Sequence, residues 1–450
     1  MRALTRVAIC GGGVAALEAL LALREILPMH PHIDLIAPNR KFIYQPMAVA
    51  EPFGLARTRL FDIAEIAEEL GAELHVGSLA QVDSADRCIE LASGTRLPYD
   101  AVIVAVGARR RTWLKGAMPF GGADDVGAFA ALLERLEQGG LARLAFTAPP
   151  GMSWTLPLYE LALLTASRLA ERAVTGVELT IITPEADPLV IFGLAASRML
   201  RGELADRGIR LRVGATAGKL ISGRLELSSG EAIEVDEVVA VPRLEGPRVK
   251  GLPADADGFI LIDDHCRVDG LEDVCAAGDG TAFPIKQGGI ATQQADVAAE
   301  SVAARLGAAL RPSVFEPLLR GMLLTGVAPI YLRASVGATA PKTGEVLASP
   351  LWWPPTKIAG RYLGPYLART SHLSYGSTLE DRPTATRDPG ALQAAHGEAR
   401  ELALVFAEAD ARGGDFRSAL SWLEVLERLD GVLPEGYLEK RDAWQTLMSR

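Results

Sequence analysis

A glycine-rich turn near the start of the sequence carries its strongest chemical signal. The turn follows a short apolar run at 6–10, which predicts a buried parallel strand, and precedes an apolar repeat that predicts a helix. In such a unit Gly11 allows the tight turn, Gly13 lets a pyrophosphate approach the backbone, and Ala16 allows close packing of helix on strand. The helix start adds free N–H groups and a positive dipole end. We therefore predict a nucleotide pyrophosphate site formed by Gly11, Gly12, Gly13, Val14, Ala15 and Ala16.

The second predicted strand, at 33–37, lacks the acidic residue that usually binds the adenosine ribose of a dinucleotide. Ala37 stands in that position and is followed by Pro38, Asn39 and Arg40. We expect Asn39 or Arg40 to contact the ribose instead. Arg40 also leaves open a cofactor with a 2′-phosphate.

Two later strands end in residues suited to a flavin. The strand AVIVAV at 101–106 leads into Gly107, and the strand ending at Ala276 leads into Ala277, Gly278 and Asp279. An aspartate at the carboxyl edge of a parallel sheet can accept hydrogen bonds from the ribityl hydroxyls of a flavin. The order and spacing of these pieces after the glycine turn favour FAD.

Three segments together resemble the pyridine nucleotide–disulfide oxidoreductase superfamily, and within it the sulfide:quinone reductase and type II NADH dehydrogenase group. They are GGGVAALEA, YDAVIVAVGAR and VCAAGDGTAFPIKQGGIATQQA. The segment FIYQPM is similar to the part of that group that approaches the flavin, which implies a contact from Tyr44 and Pro46. The resemblance implies non-covalent FAD and redox chemistry at its isoalloxazine ring.

The run PIKQGGIATQQA at 284–295 is predicted to open a helix that continues to Leu306. Its N-terminus is expected to point at the flavin and to stabilise negative charge on the reduced ring. The resemblance to type II NADH dehydrogenases implies a quinone pocket lined by the A-x-x-Q-x-A part of this run. The residues expected to contact the flavin or the acceptor are Lys286, Gln287, Gly289 and Ile290. The alternative is a packing helix with its glutamines facing solvent.

The middle of the chain has the pattern of a second nucleotide domain without its glycine fingerprint. Strands at 141–148 and 177–183 flank a helix at 156–172, but the first turn reads APPGMSWTLPLYE. Proline removes an N–H donor there, and the acidic Glu185 is displaced from the strand end, so tight NAD(P)H binding is disfavoured. The turn resembles that of sulfide:quinone reductases, in which a catalytic cysteine precedes the proline. Trp154 occupies that place here.

No side chain stands out as a catalytic acid, base, nucleophile or metal ligand. The four cysteines form no C-x-x-C pair, and none lies between Cys88 and Cys266. Cys10 and Cys275 lie inside predicted strands, which favours small buried hydrophobes over redox thiols. The six histidines show no spacing typical of a site. Sulfide oxidation through a thiol is therefore disfavoured.

The C-terminal part of the sequence reads as an appendage. Residues 351–369 combine aromatic and basic side chains with no acidic residue, which suits an anionic membrane surface. A lid over the flavin or a dimer interface is the alternative. Residues 374–390 are predicted to be a linker, and 391–450 a helical tail. Within the tail, 411–420 is similar to a tetratricopeptide turn, which predicts docking on the catalytic body, on a protein partner or on a second copy.

Composition limits the function classes. The 450 residues are 49% apolar and carry a net charge of −10, which excludes a disordered chain and argues against a nucleic-acid partner. No apolar run reaches about 18 residues, so a transmembrane helix is not predicted. The N-terminus does not read as a signal peptide. We expect a cytoplasmic protein, with peripheral contact at the inner face of the membrane as an option.

The sequence thus predicts an α/β protein with two Rossmann-like dinucleotide-binding domains, the FAD domain being discontinuous. The predicted parts are an FAD domain at 1–110 and 241–310, a second dinucleotide-type domain at 111–240, a basic-aromatic region at 311–373, the linker and the tail. The predicted function is transfer of two electrons from an unidentified donor through FAD to a quinone or similar acceptor. Two alternatives are a soluble NAD(P)H-dependent flavin reductase and an FAD-binding scaffold that recruits a partner through its tail.

Overall fold

A computed structural model describes residues 5–27, 31–336, 341–349, 352 and 354–371. Beyond residue 380 it describes 404, 407–408, 411, 416, 419–420, 423, 433–434 and 436–448. The chain divides into two compact units, Met1–Leu379 and Glu380–Arg450. The predicted linker at 374–390 lies outside the described residues.

The strands and helices are numbered in chain order. The strands are β1 (Arg6–Cys10), β2 (His32–Ala37), β3 (Lys41–Tyr44), β4 (Arg59–Asp62), β5 (Glu73–Val76), β6 (Leu79–Asp83), β7 (Cys88–Leu91), β8 (Arg96–Pro98), β9 (Ala101–Val104), β10 (Arg109–Arg111), β11 (Met118–Pro119), β12 (Arg143–Thr147), β13 (Glu178–Ile182), β14 (Arg210–Arg212), β15 (Ala217–Ile221), β16 (Arg224–Leu227), β17 (Ala232–Glu234), β18 (Glu237–Ala240), β19 (Arg243–Glu245), β20 (Val274–Ala276), β21 (Leu318–Leu323), β22 (Ile330–Val336) and β23 (Pro341–Leu347). The helices are α1 (Val14–Ile26), α2 (Ile63–Glu69), α3 (Val126–Glu137), α4 (Leu156–Glu171), α5 (Leu194–Asp206), α6 (Gly288–Arg305), α7 (Leu363–Ser371) and α8 (Tyr437–Met448).

The first sheet holds five parallel strands in the order β20-β9-β1-β2-β5. Its central strands are apolar and buried because both faces of the sheet are covered. Helices α1 and α6 pack against each other on one face, and the antiparallel sheet β6-β7-β8 packs on the other. Strand β20 begins 170 positions after the end of β9, so the domain is discontinuous in sequence.

The second sheet also holds five parallel strands, in the order β11-β18-β12-β13-β14. Helix α4 is buried along most of its length, since it packs between this sheet and later elements of the chain. With the two five-stranded parallel sheets, the predicted α/β class with two Rossmann-like domains is confirmed. The predicted domain boundaries stay predictions.

Smaller sheets connect and cover these domains. Strand β10 pairs with β19, and β15-β16-β17 and β21-β22-β23 form antiparallel three-stranded sheets. A β3-β4 hairpin follows β2. Among the described residues, no helix is long and apolar enough to cross a membrane.

The unit at 380–450 has an apolar cluster of its own. Among its described residues, Ala407, Ala419, Leu423, Leu433 and Trp444 are buried together. Only positions 411, 416, 419 and 420 of the predicted tetratricopeptide-like turn are described, and all are helical. The rest of that prediction lies outside the described residues.

Candidate cofactor and acceptor site

The predicted cofactor residues meet at one edge of the first sheet. The glycine turn follows β1, Gly107 follows β9, and Gly278 and Asp279 follow β20. These three strands are neighbours and parallel, so their carboxyl ends lie side by side. Ligands of open α/β sheets bind at such an edge. The structure therefore brings together residues that are up to 268 positions apart in the sequence.

The turn between β1 and α1 has the geometry of a phosphate cradle. Gly11 has a φ of +148°, and a Cβ there would lie 2.1 Å from the carbonyl oxygen of Ala105. A Cβ at Gly13, by contrast, would meet no protein atom within 4 Å. No side chain caps the start of α1, so its first N–H groups face this open space. The cradle fits a pyrophosphate, the part of FAD that the sequence assigned to it.

Apolar packing explains the missing acidic residue at position 37. Ala37 is fully buried, and a Cβ at Gly12 would lie 2.8 Å from the Ala37 Cβ and 2.9 Å from Ile63 Cδ1. The two predicted substitutes, Asn39 and Arg40, follow β2 and are exposed. The backbone of Arg40 is fixed, because Ile63 N donates to its carbonyl oxygen at 2.8 Å. Both residues thus lie just beyond the carboxyl end of β2.

Gln294 supports the turn that carries Asp279, and sequence reasoning missed it. Gly278 has a φ of +84°, and its N–H donates to Gln294 Oε1 at 2.8 Å. Thr281 Oγ1 donates to the carbonyl oxygen of Gly278 at 3.0 Å. Burial raises the pKa of Asp279, and the nearby charges of Lys286 and Arg110 oppose this. Asp279 itself lies just past the carboxyl end of β20, at the same sheet edge as the glycine turn.

The start of α6 is buried and preorganised. Gln287 caps the helix, accepting from Ile290 N at 2.9 Å and donating to the Arg320 carbonyl oxygen at 3.1 Å. Gly289 and Ile290 form the buried first turn. Gln287 is 7% exposed, which excludes a solvent-facing role for it. Within the described chain, the helix N-terminus therefore stays a candidate for binding negative charge.

Lys286 lies between the Asp279 turn and the start of α6. Its Nζ donates to the Thr281 carbonyl oxygen and stands 3.8 Å from the centre of the Phe259 ring. Burial lowers the pKa of Lys286 to about 8, with Asp279 and Asp255 opposing the shift. The side chain thus keeps its proton near neutral pH with a small margin. Such a group can hold or release a proton beside a redox ring.

Tyr44 and Pro46 lie on the segment that follows β2. Tyr44 is buried at the end of β3, and its hydroxyl accepts from Ile358 N at 3.2 Å. Burial raises the pKa of Tyr44 to about 12. Pro46 lies in a 3-10 turn at Gln45–Met47, and Gln45 Oε1 accepts from Ala123 N at 2.9 Å. The segment is therefore tied both to residues 351–369 and to the second nucleotide-type domain.

Glu160 and Lys357 form a buried ion pair that sequence reasoning missed. Lys357 Nζ lies 2.6 Å from each carboxylate oxygen, and the side chains are 6% and 0% exposed for Lys357 and Glu160. Leu324 N donates to Glu160 Oε1 at 2.9 Å. Burial raises the pKa of Glu160 and lowers that of Lys357, while each partner opposes the shift of the other. The two residues are 197 positions apart, so no local sequence pattern could have predicted their contact.

In the second domain, the polar side chains near the predicted nucleotide turn already form hydrogen bonds within the protein. Ser153 Oγ donates to the Pro284 carbonyl oxygen at 2.6 Å. Glu185, the displaced acidic residue, accepts from the Tyr159 hydroxyl at 2.5 Å and from Thr183 Oγ1 at 3.0 Å. Burial raises the pKa of Glu185, and these hydrogen bonds oppose the rise. The carboxyl group that could accept from an adenosine ribose is thus already engaged.

Burial makes three of the four cysteines poor nucleophiles in this fold. All four are buried and free. Burial raises the pKa of the Cys10, Cys266 and Cys275 thiols, which disfavours the nucleophilic thiolate. Trp154 stacks edge-on against Phe192 at 5.8 Å in the place where relatives were expected to carry a cysteine. These positions agree with the expectation of buried cysteines.

The described aromatic side chains of 351–369 mainly face the interior. Trp352 is 5% exposed and packs edge-on against Tyr331 at 5.5 Å. Tyr366 is also buried, Tyr362 is half-buried, and Arg361 and Arg369 are exposed. Trp353 lies outside the described residues. This packing agrees better with the alternative, in which these aromatic side chains are buried, than with a membrane-facing surface.

Comparison with known proteins identifies the family. The family model for the pyridine nucleotide-disulphide oxidoreductases matches residues 5–143 and 160–300, more than half of the chain. The chain belongs to this family, as its sequence motifs predicted. It is a flavin-dependent oxidoreductase.

Individual relatives are more distant. An NADH dehydrogenase-like protein of Mycobacterium tuberculosis is 25% identical over 295 residues, covering 62% of this chain and 73% of that protein. The ferredoxin reductase component of a chlorobenzene dioxygenase from Cupriavidus is 26% identical over 334 residues, covering 68% and 74%. The solved structure of the sulfide:quinone oxidoreductase from Aquifex aeolicus matches with a TM-score of 0.70 at 17% identity, covering 76% and 86%.

Proposed function

We propose that this protein binds FAD and passes two electrons from a donor, not yet identified, to a quinone or a similar small acceptor. The pyrophosphate would lie on the turn at 11–16, the ribityl chain beside Asp279, and the isoalloxazine ring at the start of α6. FAD supplies the two-electron chemistry when bound. The cradle at Gly13 and the uncapped start of α1 support this assignment.

The observation that carries the choice of acceptor is the buried pair Glu160–Lys357. Reduction of a quinone to a quinol consumes two electrons and two protons, so the site needs a proton source where water is excluded. Burial pushes the pKa of both groups toward their neutral forms. Burial therefore favours moving the proton from Lys357 Nζ to the Glu160 carboxylate, while the attraction between the two charges opposes it.

The pair lies next to the start of α6. Lys357 directly precedes Ile358, and a Cβ at Gly288 would lie 2.9 Å from the Ile358 side chain. Trp352 and Tyr331 belong to the same apolar core as Ile290, on the first turn of that helix. An apolar, aromatic environment with one titratable pair suits a quinone ring. A protein acceptor that takes electrons alone would have no need of it.

NAD(P)H as the donor is the second candidate, since two relatives are named as NADH dehydrogenase-like and ferredoxin reductase proteins. The engaged Glu185 and the two prolines of the turn stand against tight binding of a nicotinamide nucleotide. Family membership favours either enzyme over a scaffold without turnover. We also propose that residues 351–369 contact a membrane through Arg361 and Arg369. Residues 391–450 are likewise proposed to contact a partner.

The acceptor is tested without knowing the donor. The flavin is reduced anaerobically with one equivalent of dithionite and mixed with a short-chain quinone or with ferricyanide, which takes electrons without protons. Glu160→Gln is expected to slow reoxidation by quinone by about 10²-fold or more, the usual value of a positioned proton donor, and to leave ferricyanide unaffected. Glu134→Gln, an exposed carboxylate on α3, is the control.

Equal rates for Glu160→Gln and the native protein with quinone would refute the proton-source role. The donor is sought by adding NADH, NADPH, sulfide and a quinol in separate anaerobic cuvettes. Rapid bleaching of the flavin by NADH would favour the second candidate. Purified protein without flavin by mass spectrometry would overturn the cofactor assignment.

A further inference from the structure

A second polar cluster lies at the opposite edge of the first sheet, where its strands begin. Strand β2 starts at His32 and the edge strand β5 starts at Glu73, and the register pairs Asp34 with Glu73 and Ile36 with His75. Because side chains alternate along a strand, His32 and Asp34 share one face with Glu73 and His75. The cluster has no part in the flavin site.

We propose that His32, Asp34 and Glu73 form a zinc site that fastens β5 to β2, with His75 hydrogen-bonded to the Asp34 ligand. Imidazole and carboxylate are typical ligands of Zn²⁺, with metal–ligand distances of about 2.0–2.2 Å. In a tetrahedral site such distances place neighbouring ligand atoms about 3.4 Å apart. His32 Nε2 lies close to this separation from the donor oxygens of both Asp34 and Glu73.

The measured distances support the assignment. His32 Nε2 lies 3.1 Å from Asp34 Oδ1 and 3.4 Å from Glu73 Oε2. His75 Nε2 lies 2.7 Å from Asp34 Oδ1 and 3.8 Å from Glu73 Oε1. The donor atoms of His32, Asp34 and Glu73 all lie within 4.8 Å of one another. His75 is hydrogen-bonded to Asp34 Oδ1 and would position this carboxylate without binding the metal.

Burial and charge add an independent argument. The Asp34 side chain is 1% exposed, whereas those of His32 and His75 are 26% and 21% exposed and that of Glu73 is 59% exposed. The buried Asp34 carboxylate is thus flanked by partly exposed side chains, so the cluster lies near the protein surface. Arg6 NH2 lies 3.3 Å from Asp34 Oδ2 and orients the oxygen that the metal would not use. With neutral histidines, the cluster has two carboxylates and one arginine, so a divalent cation offsets the remaining negative charge.

The test uses the flavin-loaded protein after treatment with a chelator and dialysis. Co²⁺ is added as a spectroscopic probe, because tetrahedral Co²⁺ absorbs at longer wavelength than oxidised flavin, and Zn²⁺ is then titrated against it. We expect one equivalent of Co²⁺ to bind, to give this band, and to be displaced by one equivalent of Zn²⁺. Zn²⁺ should also raise the unfolding temperature, since it binds only the folded arrangement.

Three variants and a matched control decide the outcome. His32→Gln, His75→Gln and the exposed Glu73→Gln are each expected to weaken Zn²⁺ binding by at least about tenfold. His265→Gln is the control, because that histidine has a similar exposure of 27% and contacts the Ser313 carbonyl oxygen, away from the cluster. Glu73→Gln retains a hydrogen-bonding side chain, and its flavin content reports whether it folds. Binding that is absent in the native protein, equal in all variants, or lost in His265→Gln would overturn the proposal.

Discussion

Glu160→Gln is expected to make the stability of the protein depend on pH in a way that the native chain does not. The substitution removes the negative partner of Lys357, and the Lys357 side chain is only 6% exposed. A buried ammonium without a partner costs about 3–5 kcal/mol. Lys357 escapes part of this cost by losing its proton on folding, because burial already lowers its pKa and Glu160 no longer raises it.

The sign follows from proton linkage. In the variant the unfolded chain binds a proton at Lys357 below its ordinary pKa of 10.5, whereas the folded chain does not. The free energy of unfolding should therefore rise as pH rises toward that value, by at most about 1.4 kcal/mol per unit. The double variant Glu160→Gln/Lys357→Met removes both charges, so its stability should be close to native and its additional pH dependence absent.

Urea unfolding of the flavin-loaded proteins at pH 7, 8 and 9 measures these differences. Native protein, both variants and Lys357→Met complete the double-mutant cycle. A Glu160→Gln protein that is as stable as the native chain at pH 7, or whose stability falls as pH rises, would refute the reasoning. Such a result would mean that Lys357 reaches solvent or another anion when Glu160 is neutral.

Three further predictions concern the cofactor edge and its surroundings. Gly11→Ala should prevent folding, because its Cβ would lie 2.1 Å from a backbone oxygen, whereas Gly13→Ala should fold and lose flavin. Unfolding curves and the flavin content per chain measure both effects. A Gly13→Ala protein with its full flavin content would contradict the role of this turn as a phosphate cradle. Burial raises the pKa of Glu18 to about 7 from 4.5, so stability should fall as pH rises through that window, and Glu18→Gln should remove this dependence in urea unfolding at pH 5 to 8. Tyr159→Phe should destabilise the protein by about 1.5–3 kcal/mol at neutral pH, because Glu185 loses its shortest hydrogen bond; an unchanged midpoint would show that Thr183 suffices.

The sequence predicts the parts of this protein that depend on local pattern. The turn at 11–16 and the A-G-D strand end have fixed residue types and spacing, because a phosphate and a tight turn tolerate few alternatives. Gln294 was missed since it acts through a hydrogen bond to Gly278, and a glutamine on a helix has no distinctive pattern. The sequence also could not show that Ala37, which stands where an acidic residue is usual, packs closely against Gly12.

The sequence analysis mainly missed contacts between residues that are far apart in the sequence. Glu160 meets Lys357 only because α4 and residues 351–369 meet in the folded chain. His32 and His75 converge on Asp34 because of the parallel register of β2 and β5, which no local spacing reveals. In both cases the side chains have ordinary sequence surroundings, and the chemistry arises from topology.

The hydrogen bonds of Glu18 have a consequence for how the protein is made. Glu18 lies on α1, whose start forms the phosphate cradle, and its fully buried carboxyl group accepts from Tyr362 N at 2.8 Å and Leu363 N at 2.7 Å. The first sheet likewise lacks its edge strand until β20 has been synthesised. During synthesis on the ribosome, Glu18 therefore gains these two hydrogen bonds only after the chain has grown past residue 363. The cofactor domain is begun first and completed among the last.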